Sequence, residues 1–597
     1  MKDDTASRAR DDRQTEPAQP PKHSPAGREA RLRHELDRRG FMGLLPLFGA
    51  GVATAPGLLQ RQEQEYAVSL EDLDAMERIM GLDFGVEEDE MAQRGVNRNL
   101  RTFEQLRELD IPLDTEPALT FDPRPAGFAM PTGPSRFRMR QPAVVPKPES
   151  DEDAAFLGVA EMARLIQTRQ VSPVELTRLS LERLEEYDDL LHCVITLTPE
   201  RALALARRAE EELMTGAVRG PLHGIPWGAK DLLAVRGYRT TWGAKPYEDQ
   251  IINYDATAVR RLDEAGAILV AKLTLGALAM GDWWFGGRTR NPWNPEQGSS
   301  GSSAGPAAAT AAGLVGFGIG SETRGSIMSP AARCGVVGLR PTFGRVSRYG
   351  AMSLSWSMDK LGPLCRRVED AALVFDAIRG PDGRDTTVVD APFSWENPRP
   401  ISEMRLGYIP AEFERERASD EWRATYAEAL DVLRRLGAKL EPIELPDLPI
   451  GAIGMVLSVE ASAAFDDLVR SGRVSELTRQ SSGAWPNSFR TARFVPAVEF
   501  IRAQRARRLL MQHSEVLMRR YDAFITPNSS ASLGMTNLTG HPALAVPCGF
   551  DEDGDPMILM ITGRLYDEAT ILDIGWQYEQ ATEWHTRRPD FEGGGER

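Results

Sequence analysis

Gly318-Ile319-Gly320-Ser321-Glu322-Thr323-Arg324-Gly325-Ser326-Ile327 reads as a buried strand running into a tight, hydroxyl-bearing loop. Outward from it, short apolar runs alternate with helical patterns. Pro173 to Tyr187 places proline in a first helical turn, with leucines at 176, 179, 181 and 184, and the strand candidate Cys193 to Leu197 follows. Ala256 to Ala265 reads as a helix feeding a strand at Ala267 to Ala271. Met404 to Ile409, Ala523 to Thr526 and Met557 to Thr562 are further short apolar runs between helical stretches. This rhythm predicts an α/β domain around a buried, largely parallel or mixed sheet. No internal repeat is visible, and the low-complexity stretch is the Gly/Ser/Ala segment from Gly298 to Gly313.

The composition narrows what such a domain can do. At 597 residues, 42% of them hydrophobic, the chain can bury the core of one large catalytic domain with accessories. A formal charge of -16 repels a phosphate backbone, so nucleic acid is not an expected partner. Cys193, Cys334, Cys365 and Cys548 are widely spaced, with no C-x-x-C and no histidine pair at ligand spacing. Neither a metal site nor a disulfide framework is indicated, and no cofactor is expected. Only eight of the 71 basic residues are lysines, which makes each lysine informative.

The first 55 residues read as a leader. Residues 1 to 36 are polar, charged and without apolar periodicity, and then Arg38-Arg39 precedes an apolar segment, Phe41 to Ala55, too short and glycine-rich to span a bilayer. This resembles a twin-arginine export signal, with small residues for cleavage at Ala53-Thr54-Ala55 or nearer Ala50. The expectation is an exported, periplasmic or extracellular enzyme with no stable membrane insertion after signal removal, or a cytoplasmic one if the signal does not function. Residues 56 to 150 read as a helical N-terminal extension and linker. Leu70, Leu73, Met76, Ile79 and Met80, then Leu100, Phe103, Leu106 and Leu109, carry the helical spacing, and the proline-rich run from Ile111 to Pro148 is a linker or a strap over the main domain. Residues 151 to 597 form the catalytic domain.

Two more segments join the opening one. Gly220-Pro221-Leu222-His223-Gly224-Ile225-Pro226-Trp227-Gly228-Ala229-Lys230-Asp231 brings a lysine in behind a small, apolar approach, which predicts its burial. Asn291-Pro292-Trp293-Asn294-Pro295 leads to Gly298-Ser299-Ser300-Gly301-Ser302-Ser303-Ala304-Gly305, where hydroxyls alternate with glycines that permit close approach. Together, and with Gly338-Leu339-Arg340-Pro341-Thr342-Phe343-Gly344-Arg345, these segments resemble the amidase signature family over roughly residues 155 to 585. The resemblance implies an amidase signature fold, a large mixed β-sheet covered by helices on both faces. It also implies a strand near the site at Gly540 to Gly549, and roles for three residues: Lys230 as catalytic lysine, Ser302 as a bridging serine on a cis peptide bond, and Ser326 as acyl-accepting nucleophile. Ser302 is chosen by counting ungapped from Asn291 to Pro295 towards the nucleophile, since Ser299, Ser300 and Ser303 stand in the same string.

Elementary chemistry supports these roles. A serine hydroxyl needs a neighbouring base, and a lysine serves only if its surroundings keep it neutral, so Lys230 should have a depressed pKa. A serine between them can pass the proton inward and return it to the leaving amine. The backbone N–H groups of Thr323, Arg324, Gly325 and Ser326 are expected to meet the oxyanion. Arg324 stands where the family's commonest pattern has glycine, which strains the loop or narrows the pocket if that position needs positive φ. Trp283 and Trp284 are expected either to line an acyl pocket with Ser303 or to pack in the core. Ser357-Met358-Asp359-Lys360 matches S-x-x-K without a Lys-Thr-Gly partner, the Gly/Ser loop lacks a Gly-Lys-Ser/Thr ending, and His223 and His541 read as turn or strand-edge residues. The expected activity is hydrolysis of a C–N amide bond in a small molecule, with esters and carbamates as further candidates. The rivals are the glutaminase component of a tRNA-dependent amidotransferase and a binding protein on the same scaffold.

Overall fold

Eleven strands hydrogen-bond into one sheet: β1 (Val194–Leu197), β2 (Pro226–Lys230), β3 (Ile268–Leu273), β4 (Phe317–Glu322), β5 (Val337–Arg340), β6 (Lys360–Cys365), β7 (Arg405–Tyr408), β8 (Lys439–Pro442), β9 (Ala523–Pro527), β10 (Ala543–Phe550) and β11 (Pro556–Gly563). Their spatial order is β8-β7-β9-β11-β10-β5-β6-β4-β2-β3-β1. The sheet is mixed: β2 lies parallel to β3 and β4, and β7 parallel to β8 and β9, whereas β4–β6–β5–β10–β11–β9 is antiparallel throughout. The computed structural model describes residues 67–82, 119–140, 144–415, 418–528 and 530–591, with scattered positions between 85 and 100. The Arg38-Arg39 pair with its apolar segment, and Phe103, Leu106 and Leu109, lie outside the described residues.

Alternation along the strands shows that both faces of the sheet are covered. Leu269, Leu544, Val546, Leu559 and Ile561 join one hydrophobic cluster, while their neighbours Ile268, Val270, Ala543, Ala545, Ile558 and Met560 join another. Helix α1 (Pro173–Leu191) contributes Leu181 and Leu184 to the second cluster, together with α2 (Ala304–Ala311) and α3 (Met328–Cys334). Helix α4 (Val368–Ile378), α5 (Asp420–Arg435) and α8 (Glu568–Gln580) pack into the first. Helices α6 (Ala497–Met518) and α7 (Ala531–Thr539) close a smaller cluster beside it. Local signals set the ends: Ser172 accepts from the Glu175 amide at 3.1 Å while the Glu175 carboxylate receives the Ser172 N–H at 2.7 Å, with Pro173 opening α1.

Residues 119–140 run across this core as a strap. Phe121 meets Phe343 edge-on at 5.0 Å and lies under the Arg507 guanidinium at 3.8 Å. Arg136–Phe137 pairs in parallel with Ser394–Trp395, and Arg140 reaches Asp573 at 2.7 Å while covering Trp395 at 3.6 Å. The Arg140–Asp573 side chains are 6% and 9% exposed, against 33% and 44% for Arg124–Asp122. Arg140→Ala should therefore cost about 3 kcal/mol by leaving a buried carboxylate unpaired, and Arg124→Ala about 0–1 kcal/mol, a contrast that urea unfolding of the two variants measures.

Candidate active site

Strand β2 is buried along its whole length and ends on Lys230, so the lysine side chain is fully enclosed. Its Nζ lies 2.8 Å from Ser302 Oγ, 2.9 Å from Ser321 Oγ and 3.1 Å from Ser303 Oγ. Among the described residues no carboxylate approaches it at ion-pair distance. Burial holds the Lys230 amine well below the ordinary lysine pKa, with the more distant carboxylates of Asp359 and Glu322 pulling weakly the other way. The Ser303 hydroxyl donates to the Ser321 carbonyl at 3.1 Å, so it can only accept from the amine. A neutral amine has two N–H groups and one lone pair, which leaves that lone pair for the hydroxyl of Ser302 or Ser321.

The serine-rich segment reaches the lysine through a close backbone approach. The Gly301–Ser302 peptide is cis. A Cβ on Gly301 would sit 2.0 Å from the Gly281 carbonyl oxygen, which explains glycine there. Ser302 and Ser303 are both fully buried, and the Ser303 N–H donates to the Ser326 carbonyl at 3.1 Å, joining this segment to the loop after β4. Ser326 itself is half-buried, and its hydroxyl makes no hydrogen bond to a described residue. The structure thus brings Lys230 and Ser302 into direct contact and links Ser326 to them through the backbone.

That loop is pinned at both ends. Glu322 Oε2 accepts the amides of Ile327 and Met328 at 2.8 and 2.9 Å, just past Ser326, while Oε1 receives Arg340 Nη1 at 2.7 Å and Asn537 Nδ2 at 2.8 Å. Burial alone would raise the Glu322 pKa, but the Arg340 guanidinium and these donors hold it below the usual range. Thr323 Oγ1 donates to Asp359 at 2.6 Å. The backbone N–H groups of Thr323, Arg324, Gly325 and Ser326 are taken up by no described group. Gly325 has φ +105°, a conformation that suits glycine alone, whereas Arg324 is not at positive φ and carries no strain of that kind. Beneath Lys230, Asp231 pairs with the buried Lys272 at 2.5 Å and accepts from the Thr241 amide at 2.7 Å.

A cavity of about 620 Å³ opens beside the serine-rich segment at Ser300 and the start of α3 at Ser329, lined also by Arg333, Trp422, Tyr426 and Asn528 among others. Trp283 and Trp284 do not line it. Trp283 is 39% exposed beneath Arg288, and Trp284 packs edge-on to Phe285 in a two-stranded hairpin. Ser303, expected at the substrate, is instead committed to Lys230 and Ser321. His541 is buried against Thr539, its pKa pushed down to about 3 by burial and Arg340, and the His223 ring meets the Ala209 carbonyl. Ser357 bonds Glu460 and Arg507, while Lys360 bonds the Met358 carbonyl, so the S-x-x-K string makes no serine–lysine pair. All four cysteines are free, buried thiols. The anchoring of Glu322, Asp359 and Lys272 was not read from the sequence. Lys272 left a signal, a scarce lysine inside the apolar run Ile268-Leu269-Val270-Ala271-Lys272-Leu273.

A buried amine among hydroxyls thus lies next to a strand that runs into a loop of free amides. Residues 175–535 match the family model described as Amidase. The A subunit of glutamyl-tRNA(Gln) amidotransferase from Moorella thermoacetica is 35% identical over 484 residues, 73% of this chain and 99% of that protein. Its counterpart in a Roseiflexus species is 36% identical over 482 residues, 73% and 98% of the two chains. The structure of native peptide amidase from Stenotrophomonas maltophilia aligns with a TM-score of 0.65 and 30% identity, covering 73% of this chain and 98% of that one. The chain belongs to the amidase signature family, enzymes that act on amide C–N bonds.

Glu322→Gln keeps the shape of the loop anchor but leaves the Arg340 charge buried without its counter-ion. The expected loss is about 3–5 kcal/mol of unfolding free energy. In the wild type the Glu322 contribution is present above the ordinary glutamate pKa and is lost as pH falls through its lowered value, so urea midpoints of wild type and variant should converge in acid.

Proposed function

We propose that this protein hydrolyses a small-molecule amide through an acyl-enzyme on Ser326, with Ser302 as proton bridge and Lys230 as base. The observation that carries this reading is the fully buried Lys230 amine, held among hydroxyls and 2.8 Å from Ser302. Ser326 Oγ attacks the carbonyl carbon as its proton passes to Ser302 and the Ser302 proton passes to Lys230 Nζ. The resulting ammonium returns a proton through Ser302 to the leaving nitrogen as the C–N bond breaks. Water then attacks the acyl ester by the same relay, releasing the acid and restoring Ser326. The free amides from Thr323 to Ser326 stabilise the oxyanion, a contribution for which loss of one donor typically costs a factor of about 100 to 1,000. The cavity beside Ser300 and Ser329 offers room for one arm of the substrate. Esters and carbamates fit the same chemistry.

The names of the curated relatives favour a second reading, the glutaminase component of a tRNA-dependent amidotransferase. The twin-arginine pattern supports the exported hydrolase instead, because export would part the enzyme from cytoplasmic partners. Recovery of the mature protein in the periplasm supports the first reading, and stable cytoplasmic association with a tRNA-binding complex supports the second.

Treatment with an alkyl fluorophosphonate should give one adduct, on Ser326, by intact mass and peptide mapping. The adduct should disappear in Ser326→Ala and fall by at least about 100-fold in rate in Lys230→Ala. A folded wild-type protein that takes no label would overturn the reading. The labelling rate should also drop on acidification as Lys230 takes up a proton, with the limb well below the pH at which an ordinary lysine titrates, and with full activity above it. A rate with no acid limb at any pH at which the protein stays folded would remove Lys230 as the base.

A further inference from the structure

Arg324 stands two residues before Ser326, and no described residue employs its side chain. It is exposed and makes no ion pair or hydrogen bond with any described residue. The next arginines along the chain behave differently: Arg333, Arg340, Arg345 and Arg348 each hold a carboxylate. Arg324 does not line the cavity beside Ser300 and Ser329. Its Nη1 faces the turn Pro449-Ile450-Gly451-Ala452-Ile453-Gly454, coming within 3.9 Å of the point a Cβ on Gly454 would occupy, and that turn carries no acid. Helix α7 lies between the two segments. A Cβ on Gly325 would be 3.1 Å from Leu533, and one on Gly534 would be 3.5 Å from Ile450. The guanidinium, Leu533 and the acid-free turn at 449–454 therefore rim one side of the nucleophile loop.

We infer that Arg324 is a specificity-determining residue that receives a carboxylate on the substrate arm lying along this rim. The inference rests on Ser326 as the acyl acceptor and adds the charge class of its substrate. A planar guanidinium offers paired donors that match a carboxylate, and its own desolvation is cheaper than that of an ammonium. On a chain of formal charge -16, an exposed guanidinium two residues from the reacting serine also draws an anionic group towards that loop. The arginine backbone keeps its N–H, so the side chain adds recognition without removing an oxyanion donor.

The test compares two fluorophosphonates that differ only at the end of the alkyl arm, one carrying a terminal carboxylate and the other a methyl group. In each reaction Ser326 Oγ bonds to phosphorus, fluoride leaves, and the serine proton enters the Lys230 relay. The readout is the ratio of the two labelling rates within each protein, so that any general effect of a substitution on the loop cancels. Wild type should favour the carboxylate probe by about tenfold, the scale of a charge-assisted hydrogen bond, and the preference should shrink as salt is raised. Arg324→Gln should bring the ratio close to one, and Arg324→Lys should keep part of it. Gly454→Asp provides an independent variant: Gly454 has φ -59° and ψ -12°, which accept a side chain, and the new carboxylate would occupy the guanidinium while leaving Arg324 in place. It too should abolish the preference. If Ser326 labels with both probes but the ratio is the same in wild type and Arg324→Gln, the inference is overturned and the hydrolase reading stands. If folded wild type labels with neither probe, the hydrolase reading fails and this inference fails with it.

Discussion

An amine buried with no counter-ion among the described residues is the constraint around which the centre of this protein is arranged. Placing an ammonium at Lys230 would carry the desolvation penalty of a charge in the interior, and no adjacent carboxylate offsets it. The charged form is therefore disfavoured, and the surroundings suit an amine: three hydroxyls lie within hydrogen-bond reach, that of Ser303 as an acceptor only and those of Ser302 and Ser321 able to donate or accept. Two carboxylates close by are neutralised in pairs of their own, Asp231 with Lys272 and Glu322 with Arg340, while Asp359 is held by the Thr323 hydroxyl and the amides of Leu354 and Ser355. These pairs act as scaffolding, since each carboxylate also gathers backbone amides and fixes the segment that carries a reacting group.

Ser303 shows how little slack the arrangement leaves. Its hydroxyl donates to the Ser321 carbonyl, accepts from the Ser321 amide and lies against Lys230, while its own amide holds the Ser326 carbonyl. One small residue thus ties the serine-rich segment, strand β4 and the loop beyond β4 to the same amine. Pre-set donors and acceptors of this kind would spare the proposed proton relay the reorganisation that water requires. Arg324 is the exception in this crowded region, a charged side chain on the same loop that the packing leaves to solvent.

The sheet supplies the rigid frame. β2 and β4 are parallel neighbours, so Lys230 and the Ser326 loop emerge at the same edge, and β6 clamps β4 from the other side with Lys360 opposite Glu322. Both faces are buried, which makes the strands read as apolar runs broken only where a polar residue has a specific partner. The strap from 119 to 140 adds aromatic and ionic contacts across the C-terminal half of this frame, outside the portion matched by the family model.

What the sequence by itself determined was the class of fold and the segments that meet at the candidate site. Apolar runs at Met404 to Ile409, Ala523 to Thr526 and Met557 to Thr562 became β7, β9 and β11 because a strand buried on both faces has to be apolar along its length. Lys230 and Ser302 were legible as candidates because a lysine behind Gly-Ile-Pro and a serine among glycines stand out from their surroundings, and the fold brings the two together. Only the tertiary structure decided which serines surround the amine, that Glu322 anchors the loop through Arg340 from 18 residues away and Asn537 from 215 away, and that Trp283 and Trp284 stand apart from the cavity. The physical reason is the range of the interactions. Strand patterning and turn chemistry act over a few residues and leave a local trace, whereas burial, pairing and pKa depend on which distant segments the completed sheet places side by side.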